Sequence, residues 1–260
     1  MARYPRPSAG TRGGASRGGR VTLARALSKL GALSRAQART AVAAGRVTVG
    51  GVPVTDPDRW VDPARERIVL DGAAVRRTVS VHLLMNKPKG VVTTRSDERG
   101  RPTVYGLLPP LPVRVFPVGR LDMESEGLLL FTNDTRLGEI LTQPGKQVPK
   151  TYEVSVDPAV PPGGLPALRA AQVLPDGTAL RASVIVPVGG SGTRLRVTIV
   201  EGKNRQIRRL FAAHGFAVVE LRRVRIGPLA LGRLPAGKTR LLTAAEVNAL
   251  RALRQGGADA

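Results

Sequence analysis

The chain has no cysteine, which leaves it neither a disulfide framework nor a thiolate metal site. It has two histidines, His82 and His214, too few and too far apart to build the usual zinc or Ser-His-Asp sets. Aromatic residues make up 3% of the composition, so Leu, Val and Ala must fill most of the core. No apolar run approaches the roughly 20 residues of a membrane-spanning helix. Residues 1 to 20 are rich in Arg and Gly and lack the apolar stretch of an export signal, so a cytoplasmic location is expected. Acidic residues are also scarce, 19 against 41 Lys plus Arg, for a formal charge of +22.

That charge makes a polyanion the default partner, through phosphate contacts and counterion release, and nucleic acid is the leading candidate. The 260 residues suffice for a catalytic domain plus a small appended module. Arg3, Arg6, Arg12, Arg17 and Arg20 among Gly, Ser and Pro read as a disordered basic tail over 1–20. Leu23, Leu27 and Leu30 recur at helical spacing, with Gly31 to close the helix. Ser34 is placed to cap a second helix over 35–44, with Arg35 and Arg39 one turn apart on a basic face. Arg46 to Val49 reads as a strand, Gly50-Gly51 as a hairpin turn and Arg67 to Leu70 as a closing strand.

The run Leu27, Gly31, Ser34-Arg35 and Gly45 to Gly51 resembles the S4-type domain first known from a small-subunit ribosomal protein. The resemblance covers 21–72 and implies RNA contacts by Arg35, Arg39 and Arg46; Gly50 stands where Asn is common, and Gly suits the same turn. A linker over 73–79 is expected next, then a larger domain over 80–254 and a short disordered tail over 255–260. Strands are expected near 81–86, 115–118, 128–132, 151–156, 182–188, 194–200 and 217–226. Helices are expected near 135–142, 163–170, 204–214 and 243–254, an alternation that suggests α+β with a mixed, mainly antiparallel sheet.

Four segments of the larger domain stand out: 86–90 with Lys87 and Lys89, 119–122 with Arg120 and Asp122, 150–152 with Lys150 and Tyr152, and 201–210. The last holds Lys203, Arg205, Ile207, Arg208 and Arg209. Their glycines fit neither a Rossmann nor a Walker spacing. Asp122 lies in a loop before the apolar run 128–131, where catalytic groups commonly sit and where an Asp also serves as a turn or cap; spacing leaves both readings open. Asn204 is placed to cap a helix with Ile207, Leu210, Phe211 and His214 on one face. Arg222, Arg223 and Arg225 read as outward strand positions interleaved with Val224 and Ile226, and His82 has no evident partner.

Gly119-Arg120-Leu121-Asp122, followed by Gly127 to Leu130 and Thr132-Asn133-Asp134, is similar to the signature of the rRNA pseudouridine synthases. The other three segments match that family's further motifs in order, over 80–245. The resemblance implies a catalytic domain with a central cleft, in which Asp122 attacks the target nucleoside without cofactor or metal. It further implies that Tyr152 stacks on the flipped base, Arg120 fills the space the base leaves or braces the neighbouring RNA, Arg208 pairs with Asp122 and Ile207 touches the base. Lys87, Lys89, Lys150, Lys203, Arg205 and Arg209 are the remaining expected RNA contacts. Ser125 stands where Thr is common, keeping a hydroxyl for a loop hydrogen bond. The segments 101–104 and 201–210 look more like the large-subunit branch, so the expected partner is large-subunit rRNA or an assembly intermediate, met by a monomer. The competing reading is a non-catalytic RNA-binding assembly factor. A metal-dependent nuclease would need clustered carboxylates, which the sequence does not offer.

Overall fold

The computed structural model describes residues 19–76, 79–174 and 176–253. The expected terminal tails, apart from Gly19 and Arg20, lie outside those residues, as does Arg77 of the expected linker. The chain divides into two compact units, Met1–Thr78 and Val79–Ala260.

The first unit runs β1 (Val21–Thr22), α1 (Leu23–Lys29), α2 (Arg35–Ala43), β2 (Val47–Val49), β3 (Val52–Val54), β4 (Trp60–Val61), β5 (Ile68–Leu70) and β6 (Ala73–Ala74). Ser34 and Gln37 close a capping box at the start of α2, satisfying two backbone donors that a helix N-terminus leaves open. Gly50 and Gly51 both have positive φ, 61° and 85°, and so turn β2 into β3 where a side chain would be strained. The sheet order is β3-β2-β5-β6, and β1 pairs separately with β4. Ala73–Ala74, expected in the linker, instead forms an antiparallel pair with β5. Leu23, Leu27, Ala38, Val42, Val47 and Ile68 form the unit's own core.

The second unit is α+β. In chain order it contains β7 (His82–Lys87), β8 (Phe116–Val118), β9 (Glu126–Thr132), α3 (Thr135–Thr142), β10 (Lys150–Asp157), α4 (Leu165–Arg169), β11 (Gln172–Val173) and β12 (Ala179–Leu180). It continues with β13 (Val184–Pro187), β14 (Arg194–Ile199), α5 (Gln206–Ala212), β15 (Ala217–Ile226), β16 (Leu229–Ala230), β17 (Thr239–Leu241) and α6 (Ala244–Ala252). A sheet of nine strands follows the path β13-β14-β10-β15-β9-β7-β17, with β8 added to β9 and β16 to β15. Its pairings are antiparallel except for β15 beside β9.

Because side chains alternate across a strand, the apolar runs of β7 and β9 feed two cores. Leu83, Met85, Leu129 and Phe131 join Tyr152, Val154, Ile207 and Phe211 on one face. Leu84, Leu128 and Leu130 join Val118, Leu137, Ile226 and Leu250 on the other. The parallel pair depends on Gly127, opposite Arg223, because a Cβ there would lie 2.3 Å from the Arg223 carbonyl oxygen. The pairing thus brings the end of the Asp122 loop against β15.

Candidate active site

The loop over 119–125 joins β8 to β9, and its backbone is fastened from several sides. The Lys87 ammonium donates to the carbonyls of Asp122 at 3.0 Å, Ser125 at 2.8 Å and Pro88 at 3.0 Å. Thr93 Oγ1 donates to Leu121 O at 2.7 Å, and Gly90 N donates to Met123 O at 2.9 Å. Arg208, on α5, donates through Nη2 to Glu124 O at 3.0 Å and through Nη1 to Val218 O at 2.7 Å. The Asp122 carboxylate itself has no hydrogen bond or ion pair among the described residues. It faces a cleft of about 710 Å³ lined also by Arg120, Lys150, Tyr152, Ile207 and Arg223.

The four expected segments therefore converge, in roles that differ in part from expectation. Tyr152 and Ile207 are buried, and each packs in the core while lining the cleft. Arg120 is exposed and lines both the cleft and a neighbouring depression formed by 92–101. Arg208 forms no ion pair with Asp122: its guanidinium is spent on two carbonyls and it acts on the carboxylate through the loop and through space. Burial, then the charge of Arg205, lowers its pKa, while Asp122 and Glu124 pull the other way.

Lys87 is corrected outright. Fully buried and bonded to carbonyls, it cannot reach a phosphate, and burial pushes its ammonium down to about 8 against the pull of Asp122, Glu124 and Glu126. Arg223 is likewise buried rather than outward, with Nε donating to Leu128 O at 2.7 Å. Adjacent Arg222 and Arg223 cannot face the same way in a regular strand, and that alternation was the available signal. Thr93 was missed altogether, since no motif marks a hydroxyl whose partner lies 28 residues away.

Lys89 and Arg205 are exposed, whereas Lys203 is tied to Glu201 at 2.9 Å and Arg209 to Asp176 at 2.5 Å. In the first unit Arg35 is exposed, and Arg39 and Arg46 pair with Asp58 at 2.8 Å and Asp71 at 2.5 Å. Asn204 does not cap α5; Arg205 occupies the cap position in a left-handed conformation, φ 48°. The Ser125 hydroxyl is buried and has no hydrogen-bond partner among the described residues, so the loop bond expected of it does not form there. His82 does have a partner, Thr132 Oγ1 at 2.8 Å, and burial lowers its pKa. Among the described residues no group of three His, Asp or Glu side chains is placed to hold a metal ion, and no helix is long and apolar enough to cross a membrane.

Comparison with known proteins gives a consistent result. The family model of RNA pseudouridylate synthases matches residues 81–213, and that of the S4 domain matches residues 21–65. The chain is 41% identical to an uncharacterized RNA pseudouridine synthase of Mycobacterium tuberculosis, over 88% of this chain and 92% of that protein. It is 34% identical to the ribosomal large subunit pseudouridine synthase B of Bacillus subtilis, over 92% of this chain and 98% of that one. A crystal structure of a pseudouridylate synthase, 27% identical, superposes with a TM-score of 0.64 over 88% of this chain and 99% of the other.

Proposed function

The chain belongs to the RNA pseudouridylate synthase family, and from that premise we propose that it isomerises one uridine of ribosomal RNA, in the large subunit, to pseudouridine. The observation that carries the reading is the Asp122 loop, whose carbonyls are fastened while its carboxylate stays unpaired at the cleft. A carboxylate held so by its backbone is positioned without being masked by a partner.

The target uridine is extruded from the RNA into the cleft at an unstacking cost of a few kcal/mol. Tyr152 offers its ring to the base, an interaction worth about 1–3 kcal/mol, and Ile207 packs against it. Arg120, exposed at the cleft edge, fills the space the base leaves. An Asp122 oxygen bonds to C1′ as the C1′–N1 bond breaks, and the base leaves with that electron pair. After the base turns, C5 bonds to C1′ and releases Asp122; C5 then loses its proton while N1 gains one. The sum is an isomerisation that consumes no co-reactant. Exposed Arg35, Lys89 and Arg205 serve as phosphate contacts, and in this reading the enzyme works in the cytoplasm, as a monomer, on rRNA or an assembly intermediate.

The test is a single-turnover assay of the purified chain on large-subunit rRNA, with pseudouridine read at nucleotide resolution. Wild type forms pseudouridine at one site; Asp122→Asn binds the RNA equally well and forms none. Retention of activity by Asp122→Asn would remove the carboxylate from the chemistry. Binding without turnover by the wild type would favour an RNA-binding assembly factor.

A further inference from the structure

Two cations in the cleft wall have no internal counter-ion among the described residues. Lys150 and Tyr152 lie two residues apart on β10 and so share a face, and Arg223 is the cross-strand partner of Tyr152 on β15. All three line the cleft, and the charge of Arg223 acts on Lys150. Arg223 is 2% exposed, and its buried Nη2 has no hydrogen-bond partner among the described residues. Lys150 donates to Val148 O at 3.0 Å. Among the described residues no carboxylate pairs with either cation. Burial and then the Arg223 charge push the Lys150 ammonium down to about 8. Buried, unpaired charge is costly to hold, so its compensation is sought in what enters the cleft.

We infer that Lys150 stabilises the detached uracil, donating to a carbonyl oxygen as the glycosidic bond breaks, while the Arg223 guanidinium, closed off in the cleft wall, adds its charge through space. The inference rests on the reading of Asp122 as nucleophile and Tyr152 as stacking platform. When the C1′–N1 electron pair leaves with the base, the base becomes an anion whose charge spreads over N1, O2 and O4. A ring lying on Tyr152 presents those oxygens at its edge, within reach of the Lys150 ammonium two residues away on the same face. Donors aimed at charge that develops only during the reaction raise kcat more than they tighten binding. A phosphate, the other anion that RNA offers, bears the same charge before and after the step, and a seat for it would act on KM.

The experiment compares single-turnover detachment in large-subunit rRNA transcripts made with uridine or with 5-fluorouridine. Fluorine withdraws electrons and makes the leaving base a more stable anion, less dependent on the two cations. Lys150→Met is expected to slow the uridine reaction at saturating RNA by about a hundredfold and the fluorinated one by only about tenfold or less, with KM nearly unchanged. Lys150→Arg should restore most of the rate, and Arg223→Lys should show the same leaving-group dependence in milder form. Lys150, at the cleft wall, carries the test even if Arg223→Lys fails to fold. Equal losses with both bases, no loss, or a loss confined to KM would overturn the inference while leaving the proposed activity standing. Full activity of Asp122→Asn in the same assay would instead overturn the reading beneath it.

Discussion

Lys87 does for the Asp122 loop what a backbone ladder does for a strand: one ammonium gathers the carbonyls of Pro88, Asp122 and Ser125. Lys87→Met, which keeps the stem and removes the donor, should lower kcat by about tenfold to a hundredfold while leaving RNA affinity unchanged, because loop position and not binding is lost. A pH signature accompanies it. The folded value of about 8 lies below the ordinary 10.5, so between the two the unfolded chain holds more protons, and this group's contribution to stability rises with pH across that window. Denaturant titrations should show wild type gaining on Lys87→Met from about pH 8 toward 10.5; a constant difference would contradict the assignment. At this scale the sequence was only partly legible. The motif containing Asp122 pointed to a residue that does line the cleft, but the burial of Lys87 and Arg223 depends on strands that meet them from elsewhere in the chain, and a basic residue without that context reads as surface.

The helices with local signals were read closely from sequence, since capping and periodicity lie within a few residues. Ser34 caps α2 where expected, and Ser34→Ala should cost about 1 kcal/mol of stability in a denaturant titration. The short strands were not legible: β1 exists because Val21 meets Val61, and β6 because Ala74 meets Val69. Neither two-residue segment has a pattern of its own. The parallel register of β9 and β15 was equally hidden, although its requirement, Gly127 at φ 102°, stood in the motif. Gly127→Ala combines a strained backbone with a Cβ 2.3 Å from Arg223 O, and should cost about 3 kcal/mol or more. Thermal melting checks this; a shift no larger than that of an exposed Gly→Ala change would show that β15 gives way freely.

Across the whole molecule the charge of +22 predicts RNA binding that weakens steeply with salt, in proportion to the phosphates neutralised. The contributions should be unequal. Arg39 and Arg46 already hold Asp58 and Asp71, whereas Arg35 is exposed and has no such partner among the described residues. Arg35→Ala should therefore weaken binding more than Arg39→Ala and reduce the salt slope by about one counterion's worth, as measured by filter binding over a salt series. Equal effects would mean that the ion pairs open on contact with RNA. Composition made the polyanion legible from the start, but not which cations remain available for it.

The most direct test of the central claim is pseudouridine mapping of total rRNA from cells lacking this protein, complemented with wild type or with Asp122→Asn. One pseudouridine in large-subunit rRNA is expected to disappear and to return only with wild type. Persistence of every pseudouridine in the cells without the protein, or restoration by Asp122→Asn, would contradict it.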